Sequence, residues 1–306
     1  MSALSGLFSA SVAAQTIRVG VPYIAAASGG VWSERAGVVN IALEGTMLVG
    51  AFASVVAHLA TGSPWLGLGA GVLAGVAFAA LHAAVNVYGR VDGIVAGITF
   101  NLLAASGTRA ALRGIYGSSA NSPTITGFRF LEGDGAALAI LRAVLDPETV
   151  LTLAFLGASL YVLGYTAFGL RVRAAGESPA VLRSTGVSVP RVRMMAACIG
   201  GALAGLGGVA LAFDQHQFQA GMTGGRGFIA LAAVVLSGWN IRRAALACVA
   251  FAVLDAAQVA LQNQGGAPPA LLSTLPYVAA MVALVVVLRR GRGTGAPAGL
   301  GIHADP

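Results

Sequence analysis

Eighteen arginines and eleven carboxylates are the only formal charges in 306 residues, and several stand inside stretches that are otherwise apolar. Asn40 and Glu44 are four residues apart, which puts both on one face of a helix, with Gly45 directly after them. An amide and a carboxylate presented together can hydrogen-bond a polar solute, or they can tie two helices together. Glutamate poorly suits a freely sliding passage, which favours the tie. Asn101 follows Phe100 in the run GITFNLLAA. An aromatic ring beside an amide suits a nucleobase, although a phenylalanine such as Phe100 is more often simple packing. Asp255 and Gln258 share a helix face and are expected to pair with each other or with a neighbouring helix. Arg226 and the run Asp214-Gln-His-Gln-Phe-Gln219 are expected at a solvated outer rim.

None of these groups forms a nucleophile–base pair or a carboxylate dyad set up for hydrolysis, so an enzyme is the weakest reading. All eighteen basic residues are arginine. Without a lysine the chain cannot hold a Walker-type phosphate loop or a Schiff base. Cys198 and Cys248 lie far apart in apolar runs without a CxxC pair, and read as small packing residues. His58, His82, His216 and His303 lack ligand spacing, so no metal site is expected.

The elements that carry these residues are set by composition. Hydrophobic residues make up 57% of the chain and charged ones 9%, against about 25% charged in a soluble domain, and mean hydropathy is +0.82. Together with 43 glycines, which membrane helices tolerate, this describes an all-α, polytopic membrane bundle. The net charge of +7 is spread over loops, which excludes a nucleic-acid binder. Crossing the hydrocarbon takes about 20 apolar residues. Suitable runs lie near 38–60, 65–88, 93–113, 148–170, 194–213, 244–262 and 270–288, with 19–33 (which contains Pro22) and 225–238 as broken or re-entrant segments. The expectation is about 8–10 spans over residues 19–290, an interfacial segment 1–18 without the basic start of a signal peptide, and a flexible cytoplasmic tail 291–306.

Arginine placement orients the bundle. The loop 171–193 holds Arg171, Arg173, Arg183, Arg191 and Arg193; Arg242 and Arg243 follow the short segment, and Arg289, Arg290 and Arg292 come near the end. By the positive-inside rule all three sites are cytoplasmic, as is Arg90, and 114–147 lies outside. The number of crossings before residue 60, and so the side of the N-terminus, stays open at this level. Gly67, Gly71 and Gly75 line one helix face, and Gly201, Ala204, Gly205 and Gly208 another, which marks close helix packing. Asp146 is expected to cap the helix that Pro147 opens.

Within the basic loop, Ser178 is an N-cap candidate, Pro179 fits the first turn and Gly186 a left-handed stop. The resulting helix, 178–186, is too short to stand alone. One reading is a solvated loop that only fixes orientation. The other is a docking helix whose Val181 and Leu182 enter a groove on a cytoplasmic subunit.

Three blocks in order resemble the permeases of ATP-binding-cassette importers for branched-chain amino acids, simple sugars and nucleosides, most nearly the nucleoside type: ERAGVVNIALEG (34–45), GESPA (176–180) followed by Gly186-Val, and GGRGFIALA (224–232). Ser178 stands where asparagine is more usual, which leaves the capping chemistry intact. The resemblance spans about 20–290. It implies a permease subunit of a bacterial inner-membrane importer that moves nucleosides or related small polar solutes, with no cofactor of its own. ATP would be used by a separate cytoplasmic ATPase gripping Glu177, Ser178, Pro179, Val181, Leu182, Arg183 and Gly186. It further implies a second permease chain, a hetero-pair, and a lipid-anchored extracytoplasmic binding protein. Asn40, Glu44, Phe100 and Asn101 are the substrate-pathway candidates. A ribose-like sugar permease is the nearest alternative. An ion-coupled secondary transporter using Glu44 or Asp255 as a proton site is the other, and an autonomous transporter has no need of a docking helix.

Overall fold

A computed structural model describes residues 10–128, 135–263, 274–289 and 295–302. Among these, twelve helices follow one another and no strand forms: α1 (Ala10–Arg35), α2 (Leu43–Thr61), α3 (Pro64–Val87), α4 (Gly93–Tyr116), α5 (Ala136–Leu145), α6 (Pro147–Tyr165), α7 (Ala167–Glu177), α8 (Pro179–Ser184), α9 (Val189–Asp214), α10 (Arg226–Leu236), α11 (Ile241–Asn263) and α12 (Leu275–Arg289). Six of them, α2, α3, α4, α6, α9 and α11, are long and apolar enough to cross a membrane.

Local chemistry sets the boundaries. The Ser63 hydroxyl accepts from Leu66 N with Pro64 in the first turn of α3, and the Asp92 carboxylate accepts from Ile94 N and Val95 N to start α4. Left-handed Gly62 (φ 71°) and Gly117 (φ 71°) stop α2 and α4. Pro147 opens α6 as expected, but the Asp146 side chain makes no capping bond there.

Residues 19–33, whose proline suggested a break, belong to the continuous 26-residue helix α1. It begins at Ala10, so its first turns take up part of the segment expected at the interface; residues 1–9 lie outside the described residues. At 1.5 Å per residue α1 is roughly 39 Å long, enough for a full crossing. Gly207 of α9 packs on the Pro22 carbonyl, where a bulkier residue would not fit. The segment 225–238 becomes α10, whose 11 residues are too short to span. It is reached through an irregular turn containing left-handed Gly221, Gly224 and Gly225.

Two contacts fix the sides. Arg18 near the start of α1 pairs with Asp214 at the end of α9, 3.9 Å apart. At the opposite end, Gly301 N donates to Gly37 O just beyond α1, and Gly299 N to Gly176 O in α7. The α7–α9 connection holds the basic loop, so the start of α1 lies at the opposite end of the bundle from that loop.

The centre of the bundle is α9, packed against α1, α2 and α3. The two glycine stripes meet each other there. A Cβ on Gly75 would stand 2.5 Å from Gly201 O and 2.7 Å from Gly205 Cα, so the backbones of α3 and α9 touch.

Candidate functional site

The start of α10 is where the intramembrane polar groups converge. Gly225 adopts the left-handed conformation at its N-cap, which exposes the amides of the first turn. Glu44, in the first turn of α2, receives Gly225 N on Oε1 at 2.8 Å and Gly227 N on Oε2 at 2.7 Å. A carboxylate on a helix N-terminus meets both the unpaired amides and the positive end of the dipole. Gly227 makes this possible, since a Cβ there would lie 2.5 Å from Glu44 Cα. Arg226 turns inward to within 3.7 Å of Asp255, and Tyr23 donates to the same carboxylate at 3.2 Å. Tyr277 donates to Gly224 O. Helices α1, α2, α10, α11 and α12 are therefore tied at one point. Arg226 is part of this node and not of the outer rim where sequence placed it, because Asp255 supplies its counter-charge. Asp255 likewise finds its partners on neighbouring helices.

A second tie holds the other side of the α2 start. Asn101 of α4 accepts from Gly45 N at 2.8 Å and donates to Ile41 O at 3.0 Å, satisfying an amide in the first turn of α2. Asn40 donates to Ser33 Oγ at 3.0 Å, and its backbone amide reaches Glu34 Oε1 at 3.4 Å. The other oxygen of Glu34 receives Trp239 Nε1 at 2.5 Å. Phe100 is buried in ring contact with Phe78 and His82, each centroid 5.2 Å away. Of the four pathway candidates, Asn40 and Phe100 are buried, whereas Glu44 and Asn101 are half-buried.

Beside Asn101, α4 presents an open face that sequence reasoning passed over: Thr99, Leu102, Leu103 and Ser106, with Arg109 and Arg113 further outward, are all exposed. The available signal was polar residues recurring at helical spacing within an otherwise apolar span. Thr99 and Ser106 bond the carbonyls of Val95 and Leu102 on their own helix, so this face can meet an apolar or a polar neighbour.

At the cytoplasmic end, α7, capped by the Thr166 hydroxyl on Gly169 N at 3.1 Å, leads into the short helix α8. That helix is six residues long, Pro179–Ser184, and shorter than 178–186. The Ser178 hydroxyl makes no cap; its carbonyl instead accepts from Leu182 N at 3.2 Å. Gly186 has the expected left-handed φ of 79°. The two apolar residues of α8 part company: Val181 is 63% exposed, while Leu182 is 5% exposed in the chain's own core. Glu177, Ser178, Arg183 and Gly186 are exposed around Val181, and Pro179 is half-buried.

Of the tail expected to be free, residues 295–302 are described and are packed against this elbow. Arg193, buried at the start of α9, donates to Ala36 O (3.1 Å), Ala175 O (3.4 Å), Gly299 O (3.3 Å) and Ile302 O (2.8 Å). The carbonyls converge because α1, α7 and the tail all end there, and one guanidinium serves them together. Glu177 adds a bond from Ala298 N at 3.3 Å. Among the described residues no cluster of histidine, cysteine or carboxylate is suited to a metal. The Cys248 thiol donates to Tyr23 O at 3.4 Å.

Comparison with known proteins agrees with this architecture. Residues 12–288 match the family of the branched-chain amino acid transport system permease component. The chain is 36% identical to the guanosine ABC transporter permease protein NupQ of Bacillus subtilis, with 74% of each chain covered. It is 32% identical to the nucleoside ABC transporter permease protein NupC of Lactococcus lactis over 90% of this chain and 92% of that one. It is 33% identical to a putative glucose ABC transporter permease protein of Haloferax volcanii over 93% of this chain and 92% of that one. No solved structure matches. A multi-pass bundle with a short helix pinned at its core, an exposed basic elbow and a family match over nearly its whole length belongs to the permease subunits of ABC transporters.

Proposed function

We propose that this chain is the translocating subunit of an ATP-driven importer that carries nucleosides or related small polar solutes into the cell across the bacterial inner membrane. Two of the relatives named above, covering most of this chain, are nucleoside or guanosine permeases, and this similarity carries the reading. The energy comes from a cytoplasmic ATPase that seats on α8, with Val181 as the apolar contact and Glu177, Ser178, Pro179, Arg183 and Gly186 around it. Leu182 supports the reading from behind, as the anchor that ties α8 to the core. This chain needs no cofactor, since ATP is consumed by the partner. A second permease, in a hetero-pair, faces the exposed side of α4, and a lipid-anchored binding protein delivers solute at the outer mouth.

The route runs along that side of α4. Glu44 and Asn101 border it and hold its wall in place, whereas Asn40 and Phe100 support the wall from within. Rocking of the two permeases about this cavity gives alternating access. The glucose permease relative favours one second reading, transport of a simple sugar.

The test is uptake of labelled guanosine and adenosine in cells with and without the gene, with excess unlabelled ribose, glucose or leucine as competitors. Loss of nucleoside uptake on deletion, insensitive to the competitors, is the expected result. Unchanged nucleoside uptake together with lost sugar uptake would move the substrate to sugars.

A further inference from the structure

The ends of α1, α6 and α11, together with α7 and the Trp239–Asn240 turn, line a cavity of about 280 Å³ beside the basic elbow. Arg35, Arg173 and Arg242 all line it, and none of the residues around it is a carboxylate. Arg35 and Arg173 also form part of the wall of a neighbouring cavity of about 430 Å³ that opens towards Glu177 and Ser178. The two guanidiniums are close enough to repel each other, and Glu177 offsets this only from the second cavity. Arg173 Nε is buried and meets no acceptor among the described residues. The α11 N-terminus adds the positive end of its dipole, and Asn240 holds that first turn in place through Arg242 N at 3.0 Å and Arg243 N at 3.3 Å. Three like charges, an unmet donor and a helix N-terminus around one space describe a receptor for an anion with several acceptor oxygens. The planar guanidinium fits phosphate in this role.

The walls indicate where the phosphate comes from. Leu160, Leu163 and Val31 give the cavity an apolar side, and Tyr165, 75% exposed at the end of α6, stands at its mouth. Tyr161, 64% exposed, lies one turn before it on α6. Tyrosines at the end of a membrane helix belong to the headgroup level, and basic pockets between helices on the cytoplasmic side suit lipid headgroups. Trp239 closes the inner wall, held in a left-handed backbone conformation (φ 56°) and bonded to Glu34. We propose that this cavity binds the phosphate of an anionic phospholipid of the cytoplasmic leaflet, with its acyl chains along α6. The bound lipid neutralises the Arg35–Arg173 pair next to the elbow that leads into α8.

The experiment uses the intact importer complex, delipidated in detergent and exchanged into bilayers of phosphatidylglycerol or of phosphatidylcholine. Lipid retained on re-extraction is measured by native mass spectrometry. The wild type is expected to retain phosphatidylglycerol and not phosphatidylcholine. Arg173→Gln and Arg242→Gln should each weaken retention about fivefold or more. Arg243→Gln, exposed on the next position and outside the cavity, should leave it unchanged. Arg242 is itself exposed, so its variant decides the matter even if Arg173→Gln folds poorly. Equal retention of the two lipids, or undiminished retention in Arg242→Gln, overturns the proposal. Displacement of the lipid by millimolar inorganic phosphate would assign the site to soluble phosphate and overturn the lipid assignment.

Discussion

Glu44 shows how one side chain decides the geometry of the membrane interior. Its two oxygens each receive one amide of the α10 N-terminus, so the carboxylate is an acceptor on both sides. Glu44→Gln replaces one acceptor by an NH2 group that faces a peptide N–H, and removes the charge that the helix dipole favours. Losing one charge-assisted bond of this kind costs about 1.5–3 kcal/mol. The variant should lower the unfolding midpoint in detergent and reduce uptake together. A variant that transports normally with an unchanged midpoint would mean that the cap contributes nothing. Burial of such a charge is tolerable here because its partners are fixed backbone groups, which need no ordering of their own.

Among the helices, α3 and α9 are in backbone contact along their glycine stripes. Lipid surroundings provide no hydrophobic drive for helices to associate, so close backbone approach has to supply the attraction. Gly75→Val places methyl groups where Gly201 O and Gly205 Cα already stand, and these are backbone atoms that cannot turn aside. Overpacking of this kind costs about 1–3 kcal/mol or more. Gly69 on the same helix has nothing within 4 Å of a Cβ position, so Gly69→Ala should be neutral or mildly favourable. The yield of folded, detergent-extracted protein compares the two. Equal yields would show that the stripe is dispensable.

At the scale of the whole molecule, the proposed consumption of ATP by a partner requires force to enter through the surface, and α8 is the proposed handle. Its two apolar residues have opposite tasks in the structure, Val181 outward and Leu182 inward. Val181→Asp should reduce co-purification of the ATPase at least about tenfold while leaving the unfolding midpoint of the permease unchanged, because it adds a charge to an exposed interface centre. Leu182→Asp should lower the midpoint itself, since it buries a charge in the core. If Val181→Asp retains the ATPase with native affinity, α8 is not the docking element.

Much of this molecule follows from sequence alone. The helical membrane class, most spans and the glycine-lined faces were legible because they rest on periodicities and compositions local to one segment. Gly186 as a left-handed stop and Pro147 as a first-turn residue were readable for the same reason. Length, hydropathy and arginine placement left the crossings before residue 60 open. Only tertiary contacts, Arg18 with Asp214 and the tail with Gly37, placed the N-terminal end of α1 opposite the basic loop. Pro22 suggested a break, yet α1 continues through it, with Gly207 of α9 packed closely on the Pro22 carbonyl. Nor does any local signal say that Val181 faces out and Leu182 in, that Arg226 turns to Asp255, or that residues 295–302 return to Arg193. A sequence pattern fixes which residues share a face of a helix. Which way that face points, and which distant backbone it satisfies, depends on how the helices pack.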